Sequence, residues 1–174
     1  MKKLRIISIG ILLVMILSAC SGNSYEKQVA ADLDSCKESG SLVTGISELE
    51  GSESFAEKVR DFDYEIEETT TIDDGNGAVV KVKIKTYNFS KAYLQTWSEV
   101  IGDGDYSGDP RDDEFYEKLF ENIEALTDKD CISEVEINCT QDEDGNITTD
   151  AANNAELQDA LLGGLISEMQ SLAG

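Results

Sequence analysis

The stretch Phe62-Asp63-Tyr64-Glu65-Ile66-Glu67-Glu68-Thr69-Thr70-Thr71-Ile72 is followed, after a turn, by Ala78-Val79-Val80-Lys81-Val82-Lys83-Ile84-Lys85-Thr86. In the first run Phe62, Tyr64, Ile66, Thr70 and Ile72 alternate with Asp63, Glu65, Glu67 and Asp73, and Glu68 is the one break in the apolar set. In the second run Ala78, Val80, Val82 and Ile84 alternate with Lys81, Lys83 and Lys85. Successive side chains of a strand point to opposite faces, so this period of two predicts two half-buried strands. Asp73-Asp74-Gly75-Asn76-Gly77 between them supplies residues that tolerate tight turns, and the pair reads as an antiparallel hairpin. Its outer face sets glutamates against lysines, which favours that register while adding little stability.

Working downstream, Ala92, Tyr93, Trp97 and Val100 recur at helical spacing after Ser90. A Gly/Asp-rich loop over 102–109 and the single proline, Pro110, come next. Phe115, Leu119, Ile123 and Leu126 predict another amphipathic helix. Cys131, Ser133, Val135, Ile137 and Cys139 return to period two. Asp142-Glu143-Asp144-Gly145 is a turn, and 147–149 is a short returning strand. The chain ends on one helical stripe, Leu157, Leu161, Leu165 and Met169, backed by Leu162 and Ile166. Glycine inside a helix costs about 1 kcal/mol, so Gly163-Gly164 calls for compensation, and close packing against another element is the simplest. Working upstream, Ser52 caps a helix carrying Phe55, Val59 and Phe62. Leu42, Val43, Ile46 and Leu49 suggest a short helix weakened by Gly45, and Tyr25, Val29, Leu33 and Cys36 form a first helix stopped by Gly40. Strands and helices in this order give an α+β domain. It is a curved antiparallel sheet of about four strands whose apolar face is covered by helices.

The front of the chain has a different character. Lys2, Lys3 and Arg5 precede an apolar run over 6–17 that is shorter than the roughly 20 residues of a membrane span. A basic start, a short apolar core and small residues after it mark an export signal. Leu17-Ser18-Ala19-Cys20 has the form of a bacterial lipobox, in which the cysteine thiol takes a diacylglyceryl group and the chain is cut just before it. The expected organisation is a signal over 1–19, a lipidated linker over 20–24 and one domain over 25–174. Two acyl chains of palmitate length anchor stably where one does not, at about 0.8 kcal/mol per buried CH₂.

Removing residues 1–19 of the 174 leaves 155, enough for one domain but too few for a two-lobed transporter clamp. The cut takes the formal charge from −22 to −25, because three basic residues go with the signal. Such a surface repels phosphate backbones, which argues against nucleic acid as a partner. The chain has no histidine, so Ser-His-Asp and Cys-His catalysis and the usual zinc sites fall away. After Cys20 three cysteines remain. Cys131 and Cys139 share a face of one strand but stand eight residues apart, beyond disulfide reach at about 3.3 Å per residue. Either Cys36 is one end of a bridge, or all three are buried thiols.

These features resemble the small lipoproteins of Gram-positive bacteria with a nuclear-transport-factor-2-like (cystatin-like) domain. The residues that carry the likeness are the lipobox ending at Cys20, Val79-Val80-Lys81-Val82-Lys83-Ile84 leading to Tyr87-Asn88-Phe89-Ser90-Lys91, Asp144-Gly145-Asn146-Ile147, and the tail Leu157-Gln158-Asp159-Ala160-Leu161-Leu162-Gly163-Gly164-Leu165. Where relatives often carry a tryptophan after the last glycine turn, this chain has Asn146-Ile147. The resemblance implies helices and a curved sheet around a conical pocket, in a superfamily with some enzymes and many binders. It does not settle the function.

Two local patterns bear on chemistry. Asp103-Gly104-Asp105-Tyr106-Ser107-Gly108-Asp109-Pro110-Arg111-Asp112-Asp113-Glu114 fits the EF-hand frame. In that reading Asp103, Asp105, Ser107 and Glu114 give side-chain oxygens to calcium and Asp109 gives its carbonyl. Affinity would be weak, about 10⁻⁴–10⁻³ M. Pro110 and Arg111 depart from the frame, and a solvated acidic loop is the competing reading that the composition favours. The second pattern is Tyr64 with Glu68, a donor and a carboxylate that simple alternation puts on one strand face, as in a pocket isomerase. There the competing reading is that Glu68 reaches solvent near the strand end. Tyr87, Phe89, Tyr93 and Trp97 gather at a strand-to-helix junction, where core packing is the simpler role and a pocket rim the alternative.

The expectation is therefore an extracytoplasmic lipoprotein on the cell membrane, acting as a non-catalytic binding or interaction module. Its partners would be the membrane through its lipid, and an envelope protein, a cell-wall component or a small ligand. A calcium module through 103–114 and a small isomerase or dehydratase stand as alternatives. No other cofactor is called for.

Overall fold

The computed structural model describes residues 24–39, 53–72, 76–100 and 113–173. The expectations for Cys20, for the helix over 42–49, and for Asp103, Asp105, Ser107 and Asp109 lie outside those residues. The chain begins with helix α1 (Ser24–Ser39) and helix α2 (Glu53–Arg60), then strands β1 (Asp63–Ile72) and β2 (Gly77–Thr86). Helices α3 (Phe89–Val100) and α4 (Asp113–Glu124) follow, then β3 (Cys131–Gln141) and β4 (Ile147–Thr149). A single 3₁₀ turn (Ala151–Asn153) leads to α5 (Ala155–Leu161) and α6 (Leu165–Ala173).

The four strands form one antiparallel sheet in the order β1-β2-β3-β4. Both hairpins expected from period two are present, and β2 and β3 join them in a continuous ladder from Gly77↔Thr140 to Thr86↔Cys131. The alternation in β2 works as read: Val80, Val82 and Ile84 are fully buried, while Lys81, Lys83 and Lys85 face outward. Each of those apolar side chains contributes roughly 1.5–3 kcal/mol by leaving water. The turn from β3 to β4 is held by Asp142, whose carboxylate accepts from the backbone N–H of Asp144 and of Asn146. Gly145 supplies the positive φ of 84° that this turn needs.

One strand departs from simple alternation. In β1, Tyr64 stands opposite Ile84 and Ile66 opposite Val82, but the next paired residue is Glu68, opposite Lys81. Glu67 is an extra residue, a β-bulge that moves everything after it by one position. The inner face therefore continues through Thr69, opposite the buried Val80, rather than through Glu68 and Thr70. This corrects the expectation that Glu68 breaks the apolar face of its strand. Glu68 lies on the outer face and is exposed.

The helices do not all cover the sheet. Tyr25, Val29, Leu33 and Cys36 of α1, with Leu157, Ala160 and Leu161 of α5, pack on its apolar face and make one core. Phe55, Val59, Phe89, Ala92, Tyr93, Phe115, Leu119, Ile123, Leu162 and Leu165 make a second, almost wholly helical core from α2, α3, α4 and α6. Among the described residues the chain passes between the two cores at 61–62, 87–88, 125–130 and 162–164.

The last of these crossings corrects a second expectation. The stripe from Leu157 to Met169 is two helices, not one, and Gly163-Gly164 is the break between them. Gly163 has φ 54° and Gly164 φ 78°. A Cβ on Gly163 would lie 2.1 Å from the Tyr87 carbonyl oxygen. The close packing expected of the pair holds for Gly163 against the 87–89 junction and not for Gly164, and neither glycine lies inside a helix. Met169, beyond the break, is 48% exposed.

Candidate functional site

The four pocket candidates occupy three different surroundings. Tyr64 sits on the inner face under α1, half-buried, and its hydroxyl donates to the Asp34 carboxylate at 2.9 Å. The Lys37 ammonium lies 5.0 Å from the same ring's centroid and 5.1 Å from that of Phe62. Burial, helped by the Asp34 charge, pushes the Tyr64 phenol up to about 12. It is a donor already engaged, and it stabilises the seat of α1. Glu68 is across the sheet from it, beside Lys81. The pair nominated for acid–base work is split by the bulge.

Tyr87 and Trp97 belong to the helical core. Trp97 packs edge-on against Phe115, with centroids 6.2 Å apart, and tilted against Tyr93 at 6.3 Å. The simpler of the two readings of this aromatic group, core packing, is the one the geometry fits. Tyr87 has a second function in the architecture. Its hydroxyl donates to Asp61 Oδ2 at 2.8 Å, and Lys129 Nζ lies 2.7 Å from Asp61 Oδ1 and 3.4 Å from Asp63. Lys58 Nζ donates to the Leu126 carbonyl at 2.6 Å while lying 4.5 Å from the Tyr87 ring centroid. These groups come from, or lie beside, three of the described crossings between the cores and clasp them together. The Lys129 hydrogen bond, followed by that of Tyr87, holds the Asp61 carboxyl below its ordinary range. Burial alone would lower the Lys129 ammonium, but Asp61 and Asp63 outweigh it and hold it up. Spacing along the chain gave no sign of this clasp, because Lys129 and Asp61 are 68 residues apart.

On the inner side, α1 and β4 frame an open groove of about 340 Å³ lined by Gln28, Asp32, Ser35, Ile147, Thr149 and Ala151 among others. Asp32 accepts from Gln28 at 2.9 Å and also from the Thr149 hydroxyl, so its carboxylate ties α1 to the edge of the sheet.

The outer face of the sheet carries a charge pattern by strand. Glu134 and Glu136 lie on β3, Lys81, Lys83 and Lys85 on β2, and Asp63, Glu65, Glu67 and Glu68 on β1. Glu65↔Lys83↔Glu134 and Glu68↔Lys81↔Glu136 run straight across three strands. Lys81 Nζ is 2.6 Å from Glu134 and 4.0 Å from Glu67, and Lys83 is 3.8 Å from Glu67. The Glu134 contact raises the Lys81 ammonium and lowers the Glu134 carboxyl. β1 is an edge of the sheet, and among the described residues no strand pairs with its free side.

Of the five candidate calcium ligands only Glu114 is described, exposed in the first turn of α4. Among the described residues no three or more carboxylate or thiol groups converge as a metal site. Cys36, Cys131 and Cys139 are free thiols. Cys36 and Cys139 are buried in the sheet core, while Cys131 is only half-buried, so the expectation of three buried thiols holds for two. Burial pushes the Cys139 thiol up to about 11.

The class these features define is an α+β domain: a four-stranded antiparallel sheet with helices on one face, clasped to a helical cluster. No family model matches the sequence, and no curated protein does. Among solved structures, the chain is similar to a candidate lipoprotein, ycdA, from Bacillus subtilis subsp. subtilis str. 168. The identity is 13% and the TM-score 0.37, over 78% of this chain and 45% of that one. This chain therefore spans less than half the length of that protein, and a likeness at this TM-score does not establish a shared fold.

Proposed function

We propose that this protein is a lipid-anchored module on the extracytoplasmic face of the cell membrane, holding a non-catalytic interaction domain close to the bilayer. One observation carries the reading. Leu17-Ser18-Ala19-Cys20 ends a short basic-then-apolar leader, and α1 starts at Ser24, with only three residues between it and the cysteine. The turn of α1 nearest the anchor is already core, since Tyr25 and Val29 are 5% and 0% exposed. An acyl group on Cys20 would therefore tether the sheet core itself, not a distant tail. Among the described residues no helix is long and apolar enough to cross a membrane. The helices α1 and α5 on one face of an antiparallel sheet support the nuclear-transport-factor-2-like reading of the architecture. The isomerase alternative loses its nominated pair, because Tyr64 and Glu68 lie on opposite faces of β1.

The test is fractionation of cells expressing the full chain and its Cys20→Ser variant. The wild type is expected in the membrane fraction and sensitive to protease added outside the cell. The variant is expected to lose detergent-phase partitioning. Equal membrane retention and protease resistance of both proteins would refute the reading.

A further inference from the structure

Resting on that reading of an interaction module, we infer that the free edge of β1 binds an extended, lysine-rich segment of a partner protein as a fifth strand of the sheet. β1 is ten residues long and, among the described residues, pairs on one side only. At about 3.4 Å per residue it offers some 30 Å of edge, long enough for a segment of eight or nine residues. An open edge presents unpaired backbone N–H and C=O groups and is a template for strand addition.

The charges select the occupant. Reading across the outer face from β3 to β2 to β1, the strands are acidic, basic, acidic. Opposite charges directly across a ladder stabilise pairing and like charges oppose it. The neighbour that continues the pattern is a strand presenting lysine or arginine at every second position. A second copy of this chain is disfavoured at the same place. Two β1 edges would set Asp63, Glu65, Glu67 and Glu68 against one another, between molecules whose formal charge is −22 for the full chain and −25 after the signal is cut. Ile72 at the far end of the strand, opposite Gly77 on the same outer face, is 40% exposed and adds an apolar contact. The bulge at Glu67 divides the edge into two runs, 63–66 and 68–72, so the added strand's ladder is expected to be interrupted opposite Glu67.

The experiment uses the full chain as its host produces it, purified in nonionic detergent, and three blocked nonapeptides. One alternates lysine with threonine and valine. The second carries glutamate in place of every lysine. The third keeps the lysines but has proline at alternate positions, which removes the donors a ladder needs. The first is expected to bind and to slow hydrogen exchange within 63–72. The second and third are expected to bind about tenfold more weakly or worse. Glu65→Lys with Glu68→Lys, both exposed positions, is expected to reverse the preference between the first two peptides. Equal binding of the lysine and proline peptides, or binding without slowed exchange in β1, would show only diffuse charge attraction and overturn the proposal. No binding would overturn it as well. None of these outcomes depends on whether Cys20 carries lipid, so failure here and failure of the anchoring reading are told apart.

Discussion

Replacing Gly163 with alanine tests the packing between the two cores, and Gly164 beside it is the control. Both glycines have left-handed backbone, at φ 54° and 78°, where a Cβ costs about 1–2 kcal/mol. Their surroundings differ. A Cβ on Gly164 meets nothing nearer than Ser90 Oγ at 3.7 Å, an ordinary contact. A Cβ on Gly163 meets the Tyr87 carbonyl oxygen at 2.1 Å and the Phe89 nitrogen at 2.9 Å, both backbone atoms that no rotamer can move. The turn must retreat by about 1 Å to reach van der Waals distance. That retreat lengthens the hydrogen bond from the Ser90 N–H to the Gly163 carbonyl, already 3.4 Å. It also unseats Leu162 and Leu165 from the helical core around Phe89. Adding a packing loss of about 2–3 kcal/mol to the backbone term gives about 3–5 kcal/mol for Gly163→Ala, against about 1–2 kcal/mol for Gly164→Ala. Urea unfolding followed by the fluorescence of Trp97, the single tryptophan, reads the helical core directly. Far-UV circular dichroism reads both cores together. Equal losses at the two positions would show that backbone conformation alone, not close approach to 87–89, makes glycine necessary, and the reasoning would fail.

Three further outcomes follow from the geometry. Glu68→Ala is expected to change stability by no more than about 0.5 kcal/mol, because its side chain is on the outer face; a loss above 2 kcal/mol in a denaturation curve would place it inside. Thiol labelling of the native protein is expected to modify Cys131 and spare Cys36 and Cys139 until denaturant is added, which peptide mapping checks. Asp61 is held below its ordinary pKa by Lys129 and Tyr87, so it stabilises the fold above its unfolded value near 4 and that contribution is lost as pH falls through the lowered folded value. Asp61→Asn is therefore expected to flatten the fall in melting temperature below about pH 4 and to lower it at neutral pH; an unchanged acid limb would remove Asp61 from the clasp.

Much of the sheet was legible in the sequence because side-chain alternation and burial are the same fact in β2 and β3. The bulge was not. Glu67-Glu68 followed by three threonines has no strong apolar residue to mark the phase, so uninterrupted alternation and a one-residue shift read alike. The shift becomes visible only against Val80 and Lys81 of the neighbouring strand. The break at Gly163-Gly164 was half legible. The glycines announced a cost, but Leu161 and Leu165 keep helical spacing across the turn, and both are buried, Leu161 at 0% and Leu165 at 8%. Periodicity says which face of a helix is apolar and not what it packs against, so the division into two cores could not be read. Simple alternation sets Tyr64 on one face with Glu68, and position along the chain gathers Tyr87 with Trp97. The structure sorts them by partner: Asp34 for Tyr64, Asp61 for Tyr87, Phe115 for Trp97. That β1 is an open edge depends on strand order, which no local pattern encodes.

The most direct test of the anchoring account is intact-mass and N-terminal peptide analysis of protein purified from membranes. The expected first residue is Cys20, heavier than cysteine by a thioether-linked diacylglyceryl group. A chain that still begins at Met1, or a mature end at Cys20 with its thiol unmodified, would contradict it.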